Sequence, residues 1–159
     1  MASFDRKFEI IQPTLDRLMR KPLEVADVGL LNPQGTSPVP LIDGEIVQVN
    51  SSYKWARGTD AAKPGFFVIE DRGDYGVQAS RKLSAIIGPT FEADTVVFDN
   101  VGVVTLGQAL MGGVVNNALS GSVARWGLVA HAGANIVLGY VMRLPASNGN
   151  RLRFIQTFA

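Results

Sequence analysis

The sequence contains no cysteine and a single histidine, His131, and both shortages exclude specific chemistry. Without cysteine the chain can form neither disulfides nor thiolate metal sites, and it has no thiol nucleophile. One histidine cannot by itself supply the ligands of a zinc site. Most cysteine and metal chemistry is therefore excluded, and we expect neither a metal nor a cofactor.

Charge is also scarce, and it is unevenly distributed. Charged residues make up 18% of the chain, against about 25% in ordinary soluble domains. Residues 1–82 hold eleven basic and eleven acidic side chains, whereas residues 83–159 hold only seven charged ones: Glu92, Asp94, Asp99, Arg125, Arg143, Arg151 and Arg153. Because seven ionised groups are few for the exterior of half a domain, we predict that other protein covers part of this half. A wet surface of Ser, Thr, Asn and Gly is the alternative.

The net charge of +1 gives no general attraction for nucleic acid or for an acidic membrane surface. Residues 101–124 carry no charge, but five glycines and several polar residues interrupt the segment, so we do not expect a membrane helix. The first residues include Asp5 and Glu9 and lack the apolar core of a secretion signal. We therefore expect the protein to remain in the cytoplasm where it is made.

Short apolar runs separated by turns predict an all-β domain over residues 23–159. Their spacing of about ten residues favours a sandwich or a barrel over alternating strands and helices. Residues 22–40 are rich in proline and predict a loop that wraps the domain. The Asn148-Gly149 turn predicts a final hairpin. The predicted strands are Glu45–Asn50, Phe66–Glu70, Tyr75–Ala79, Ser84–Ile87, Thr95–Phe98, Gln108–Met111, Arg125–Ala130, Asn135–Leu144 and Arg151–Thr157.

Residues 1–22 predict an N-terminal arm with an apolar stripe. Spacings of 4, 3, 4 and 3 separate its members, which is typical of an amphipathic helix. Pro13 opposes a helix interior, so we expect an extended arm to Gln12 and then one short helix with Pro13 in its first turn. The stripe is a candidate interface, although packing back on the chain's own core is the alternative. Its members are Phe4, Phe8, Ile11, Leu15 and Leu18.

Tyr53, Trp55 and Arg57 form a second candidate interface. In an extended segment the three side chains would lie on one side, and aromatic residues and arginine are typical binding anchors. Half-buried aromatics closing the end of a barrel would give the same pattern.

The remaining candidates favour structural roles. Arg72-Gly73-Asp74 matches an adhesion tripeptide, but glycine between charged residues is ordinary turn chemistry. The acidic side chains of Glu70, Asp71 and Asp74 lack the spacing of a calcium loop. His131 is expected to be hydrogen-bonded at a turn, since no nucleophile elbow accompanies it. The glycine-rich stretch from Gly107 lacks both phosphate-binding patterns, and we predict that the chain is not an enzyme.

Six segments carry a family resemblance: Pro40-Leu-Ile-Asp-Gly-Glu-Ile-Val-Gln-Val-Asn50, Tyr53-Lys-Trp-Ala-Arg-Gly-Thr59, Phe91-Glu-Ala-Asp-Thr-Val-Val-Phe-Asp99, Leu106-Gly-Gln-Ala-Leu-Met111, Gly139-Tyr-Val-Met-Arg-Leu-Pro145 and Arg151-Leu-Arg-Phe154. Together they resemble tailed-bacteriophage proteins that decorate, or cement, the capsid.

The resemblance implies a small β-barrel, tulip or jelly-roll-like protein without enzymatic activity. Such a protein joins the exterior of the virion head as dimers or trimers and contacts the major capsid protein. A ligand- or glycan-binding module displayed on the virion, and another β-rich head or tail component, are the alternative functions.

Overall fold

The computed structural model describes residues 7–14, 17–31, 38–69, 82–117 and 123–157. Within these ranges the chain forms eleven strands and two short 3-10 helices, Val28–Leu31 and Pro145–Ser147. The predicted strand Tyr75–Ala79 and the turn at residues 72–74 lie outside the described residues. The strands are β1 Phe8–Gln12, β2 Met19–Glu24, β3 Ile46–Val49, β4 Trp55–Arg57, β5 Phe66–Val68, β6 Lys82–Gly88, β7 Glu92–Thr95, β8 Ala109–Val115, β9 Arg125–Ala130, β10 Gly139–Arg143 and β11 Leu152–Gln156.

The strands belong to two antiparallel sheets, so the all-β prediction is confirmed. The six-stranded sheet has the order β1-β7-β11-β10-β8-β9, and the five-stranded sheet has the order β2-β6-β5-β3-β4. Both sheets are open, and the closed barrel among the expected architectures is not formed by the described strands. The domain is a sandwich in which apolar side chains from both sheets share one core.

Four phenylalanines occupy the centre of that core. Phe8, Phe91 and Phe154 belong to the six-stranded sheet or its flanks, and Phe67 comes from the five-stranded sheet. The ring centroids of Phe67 and Phe154 lie 5.2 Å apart, and those of Phe67 and Phe91 lie 5.7 Å apart with the rings perpendicular. These are favourable aromatic geometries, and they join the two sheets.

A second core lies on the opposite face of the five-stranded sheet. Alternation along β3, β5 and β6 sends Val47, Val68 and Leu83 to this side. Leu30, Leu31 and other apolar residues between β2 and β3 cover them. The predicted wrapping loop is therefore confirmed for residues 25–31 and 38–40. Residues 22–24, also assigned to it, form the end of β2 instead, and residues 32–37 lie outside the described ranges.

The N-terminal arm differs from its prediction. The expected extended run to Gln12 is present as β1, but it pairs with β7 instead of reaching outward. Residues 19–22, expected to belong to the arm with its short helix, are strand, because β2 pairs with β6 along its whole length. The arm is thus divided between the two sheets, and the domain boundary placed at residue 22 cuts through β2.

The final hairpin is confirmed with shorter strands than predicted. β10 pairs with β11, and residues 148–150 form the turn between them. Gly149 and Asn150 have positive φ, 62° and 64°, whereas Asn148 has φ −141°, so the positive-φ pair lies one residue later than the Asn-Gly signal predicts. The hairpin places Tyr140 opposite Ile155 on the outer face of the six-stranded sheet.

Candidate interaction surface

Glu45 forms a buried ionic cluster between the two sheets. Its carboxylate is fully enclosed and accepts a hydrogen bond from Arg57 Nε at 2.8 Å. Arg125, which lies in β9 of the other sheet, donates to Glu45 Oε1. The two guanidinium groups also donate to the carbonyl oxygens of Val39 and Pro40, at 2.6 and 2.7 Å. One carboxylate therefore connects both sheets to the chain segment that leads into β3.

A second ionic cluster lies on the outer face of the six-stranded sheet, at β1, β7 and β11. Arg153 donates two hydrogen bonds to the buried carboxylate of Asp94, at 2.9 and 3.1 Å. Arg151 contacts Glu9 at 3.2 Å, and Glu92 lies 3.9 Å from Arg153. The hydrogen bond to Asp94 raises the pKa of Arg153, and the negative charges of Asp94, Glu92 and Glu9 add to the effect, whereas burial lowers it.

These clusters use most of the charge in the C-terminal half. Five of its seven charged residues belong to one cluster or the other. Asp99 accepts a hydrogen bond from the backbone N–H of Val101 at 3.0 Å. Arg143 is exposed and has no salt bridge within the described part of the chain. The solvent-facing surface of this half is therefore even poorer in free charge than its composition indicates.

Apolar side chains stand on the outside of the same half. Tyr140 and Met142 of β10 are 41% and 49% exposed, and Val104 and Leu106 in the loop before β8 are 60% and 62% exposed. Half-buried Ile155 lies beside Tyr140 on the sheet face. We call these five residues the apolar surface: Val104, Leu106, Tyr140, Met142 and Ile155.

The side chain of Gln108 shapes the loop that presents this surface. Its Oε1 atom accepts hydrogen bonds from the N–H groups of Val104 and Thr105, at 3.0 and 3.1 Å. Its Nε2 atom donates to the carbonyl oxygen of Gly102 at 3.1 Å. Backbone bonds from Gly107 to Val141 and from Val141 to Gln108 hold the loop against β10. The hydrogen bonds of Gln108 and of the backbone therefore fix the conformation of the loop that carries Val104 and Leu106.

The structure contradicts three of the predicted interface residues. Phe8 packs in the shared core against Phe67, and Leu18 is buried in the same core. Trp55 is 1% exposed in the second core, where its indole N–H donates to the carbonyl oxygen of Lys21 at 3.1 Å. These side chains are unavailable to a partner because they complete the chain's own cores. The alternative of packing back on the core is correct for Phe8 and Leu18.

The other predicted interface residues are dispersed. Ile11 is half-buried in edge strand β1, and Arg57 is engaged by Glu45. Tyr53 is 65% exposed at a turn. The ligand-module alternative draws on Tyr53, on Trp55, which is buried, and on residues 72–74, which lie outside the described ranges. Phe4 and Leu15 lie outside the described residues.

The remaining sequence candidates do not converge on one site. His131 Nε2 lies 2.9 Å from the carbonyl oxygen of Asn135, which confirms the expected hydrogen-bonded turn histidine. Residues 70–74, with their three acidic side chains and the adhesion tripeptide, lie outside the described ranges. Among the side chains that the structure does describe, no group of three or more His, Asp or Glu could hold a metal ion. No helix in those ranges has the length and apolar content needed to span a membrane.

The sequence did not predict either ionic cluster. For the apolar surface it predicted only that a covered surface lies within residues 83–159, without naming the residues. The partners Glu9 and Arg151 are 142 positions apart, and Glu45 and Arg125 are 80 apart. No local spacing could have connected them. Alternation in Gly139–Arg143 was the one available signal for Tyr140 and Met142, because it sets them on the face opposite buried Val141.

Comparison with known proteins adds no relative: no family model, curated protein or solved structure matches the chain.

Proposed function

We propose that this chain is a structural virion protein that decorates and stabilises the outside of a tailed-phage capsid by bridging subunits of the major capsid protein. The observation that carries the proposal is the apolar surface. It lies in a half of the molecule where five of the seven charged residues are paired within the two ionic clusters. Its exposed apolar side chains lie on β10 and on the loop that is hydrogen-bonded to β10, and apolar groups on adjacent surface elements are typical of protein contact sites. The sequence resemblance to capsid decoration proteins supplies the nature of the partner.

The proposed mechanism is mechanical. Packaged DNA pushes the shell outward, and a protein that contacts two neighbouring capsid subunits opposes their separation. Each contact can be weak, because an oligomer that binds several subunits at once gains from a high effective concentration. Under this proposal the protein has no catalytic activity and needs no cofactor, and after synthesis in the host cytoplasm it resides on the capsid exterior.

The internal framework suits this mechanical role. The bidentate Arg153–Asp94 pair ties β11 to β7 beside the apolar surface. The Glu45 cluster ties the two sheets together. Tyr140, Met142 and Ile155 lie on strands, and hydrogen bonds hold the loop of Val104 and Leu106, so this surface can transmit force without first rearranging.

A direct binding experiment tests the proposal. Purified protein is added to heads of the encoding phage that lack it, and bound protein is measured by co-sedimentation. The variant Tyr140→Asp/Met142→Asp places charge in the apolar surface, and we expect its affinity to fall roughly tenfold or more, as for central residues of an interface.

The matched control is Tyr53→Asp/Met19→Asp, which alters the same two residue types at exposed positions on the five-stranded sheet and the turn before β4. It should bind as the unaltered protein does. Failure of the unaltered protein to bind heads would contradict the proposed function. Equal loss in both variants would contradict the assignment of the apolar surface.

A further inference from the structure

The two open sheets have four edge strands, and three of them are blocked. An unpaired edge exposes backbone N–H and C=O groups that can pair with another chain, so proteins usually protect such edges. β2 carries Arg20, Lys21 and Pro22, and charge and proline are typical edge protection. β4 is covered because Val25 bridges to Trp55 and the N–H of Ala26 donates to its carbonyl oxygen.

β9 is blocked by the segment that follows β7. Phe98 forms a parallel bridge with Leu128, and Leu128 exchanges backbone hydrogen bonds with Val97 and Asp99. The side chain of Asn117 fixes this segment by donating to the carbonyl oxygens of Val96 and Phe98.

β1 is different, because no described residue pairs with its outer edge. Its sequence, Phe-Glu-Ile-Ile-Gln, contains no proline and a single charge. Within the described ranges β1 is therefore the open edge of the molecule.

The hydrogen bonding of β1 to β7 fixes which of its backbone groups face outward. The N–H of Val96 donates to the carbonyl oxygen of Lys7, so Lys7 and Val96 form a hydrogen-bonded pair. Antiparallel pairing alternates, so Glu9 also points its backbone groups at β7, opposite Asp94. The backbone groups of Phe8 and Ile10 therefore point away from the sheet.

This alternation restricts how a second copy of β1 can pair with the edge. In a twofold antiparallel pairing, residues whose backbone groups point outward must face each other, so the centre can lie at Phe8, Glu9 or Ile10. Centring on Glu9 opposes two like charges, which is unfavourable. Centring on Ile10 pairs Glu9 with Ile11. Centring on Phe8 places Lys7 of each copy directly opposite Glu9 of the other.

We propose that the protein forms a twofold dimer in which the β1 strands of two copies pair antiparallel, centred on Phe8. The argument for a second copy as the occupant is charge complementarity: of the three registers that the backbone permits, the one centred on Phe8 forms two Lys7–Glu9 contacts. The side chains of Lys7 and Glu9 both lie on the outer face of the sheet, since these residues flank Phe8, whose side chain is buried on the inner face. Lys7 is exposed, and Glu9 already contacts Arg151 there.

The dimer places two apolar surfaces on the same side. Pairing through β1 joins two six-stranded sheets into one continuous sheet, and its twofold axis is perpendicular to that sheet. The outer faces of both copies then point in one direction, which suits binding to an extended surface. The inference itself does not rest on the proposed function, because it concerns the free protein in solution.

Charge exchange tests the dimer. Mass is measured by sedimentation equilibrium and native mass spectrometry for the unaltered protein and for the variants Lys7→Glu and Glu9→Lys. Each variant alone faces two like-charge contacts across the pairing, so we expect dimerisation to weaken roughly tenfold. An equimolar mixture restores both opposite-charge contacts, and we expect a heterodimer close to the affinity of the unaltered protein.

Lys63→Glu is the matched control, because it makes the same charge change at an exposed lysine far from β1 in sequence. Circular dichroism melting shows whether loss of the Glu9–Arg151 contact disturbs folding of Glu9→Lys. Restoration in the mixture together with an unaffected Lys63→Glu supports the β1 dimer. A monomer, a trimer, or a dimer indifferent to Lys7→Glu overturns it. Head binding is measured separately, so this result and that of the proposed function can fail independently.

Discussion

Glu45 shows how one residue can organise two sheets. Its carboxylate has no exposed surface and accepts hydrogen bonds from two arginines and from the backbone N–H of Ile42. Loss of one member of such a group leaves buried charge without its counter-ion, which costs more than the intact group contributes.

We expect Glu45→Gln to lower the free energy of unfolding by about 3–5 kcal/mol, because Arg57 and Arg125 lose their shared counter-ion. Urea denaturation measures the effect. Glu24→Gln is the control, since the Glu24–Lys54 pair is exposed and should be worth about 0–1 kcal/mol. Equal effects of the two substitutions would show that the buried cluster is not a special source of stability.

Gly58 is fixed by its neighbour. A Cβ atom at this position would overlap the indole ring of Trp126, which also lies against Gly112. The ring belongs to β9 and Gly58 follows β4, so the contact connects the two sheets. Packing therefore requires glycine at position 58, because the rigid indole ring of Trp126 cannot move aside as the end of a flexible side chain can.

Gly58→Ala should therefore destabilise the fold by about 1–3 kcal/mol through overpacking. Adding Trp126→Ala removes the ring atoms that the methyl group would meet, so the double variant should lose less stability than the two single losses combined. Thermal or urea unfolding of all three variants measures this coupling. Simple additivity would show that the alanine methyl group and the indole ring do not compete for space.

At the level of elements, β1 and β2 show where local sequence patterns stop being informative. Spacings of 4, 3, 4 and 3 are helical, yet β1 pairs with β7 and β2 pairs with β6. Pairing with strands 58 or more positions away overrides local periodicity. The β10–β11 hairpin was predictable because its turn and both partners are adjacent in sequence.

β1 is a structural strand, so truncating its core side chain should destabilise the whole domain. We expect Phe8→Ala to cost about 3–5 kcal/mol, the usual range for a buried phenylalanine. Tyr53→Ala, at an exposed aromatic, should stay within about 0.5 kcal/mol of the unaltered protein. Urea denaturation compares them, and a Phe8→Ala effect as small as that of Tyr53→Ala would place β1 outside the cooperative fold.

Because β1 belongs to the fold, a role for the arm in binding cannot be tested by deleting it. Deleting residues 1–20 removes β1 and the first residues of β2, so lost head binding would report unfolding. Substitutions at Lys7 and Glu9, which leave Phe8 in the core, separate an interaction of the arm from the stability of the sheet.

On the scale of the whole molecule, the charge-poor half was predictable from composition, but its cause was not. Counting residues reveals seven charges after position 82. Only the fold shows that Arg125 is buried with Glu45 and that Arg151 and Arg153 pair with acids on β1 and β7. The all-β class followed from short runs and turns, whereas the division into two open sheets depends on long-range pairing.

The central claim is that the apolar surface is covered when the protein performs its function. Hydrogen–deuterium exchange of the protein, free in solution and bound to phage heads, tests it most directly. We predict that binding slows exchange in residues 104–106 and 139–143, while the turn at residues 51–54 exchanges equally in both states. Unchanged exchange at residues 104–106 and 139–143 in head-bound protein, or slowing confined to the turn at residues 51–54, would contradict the claim.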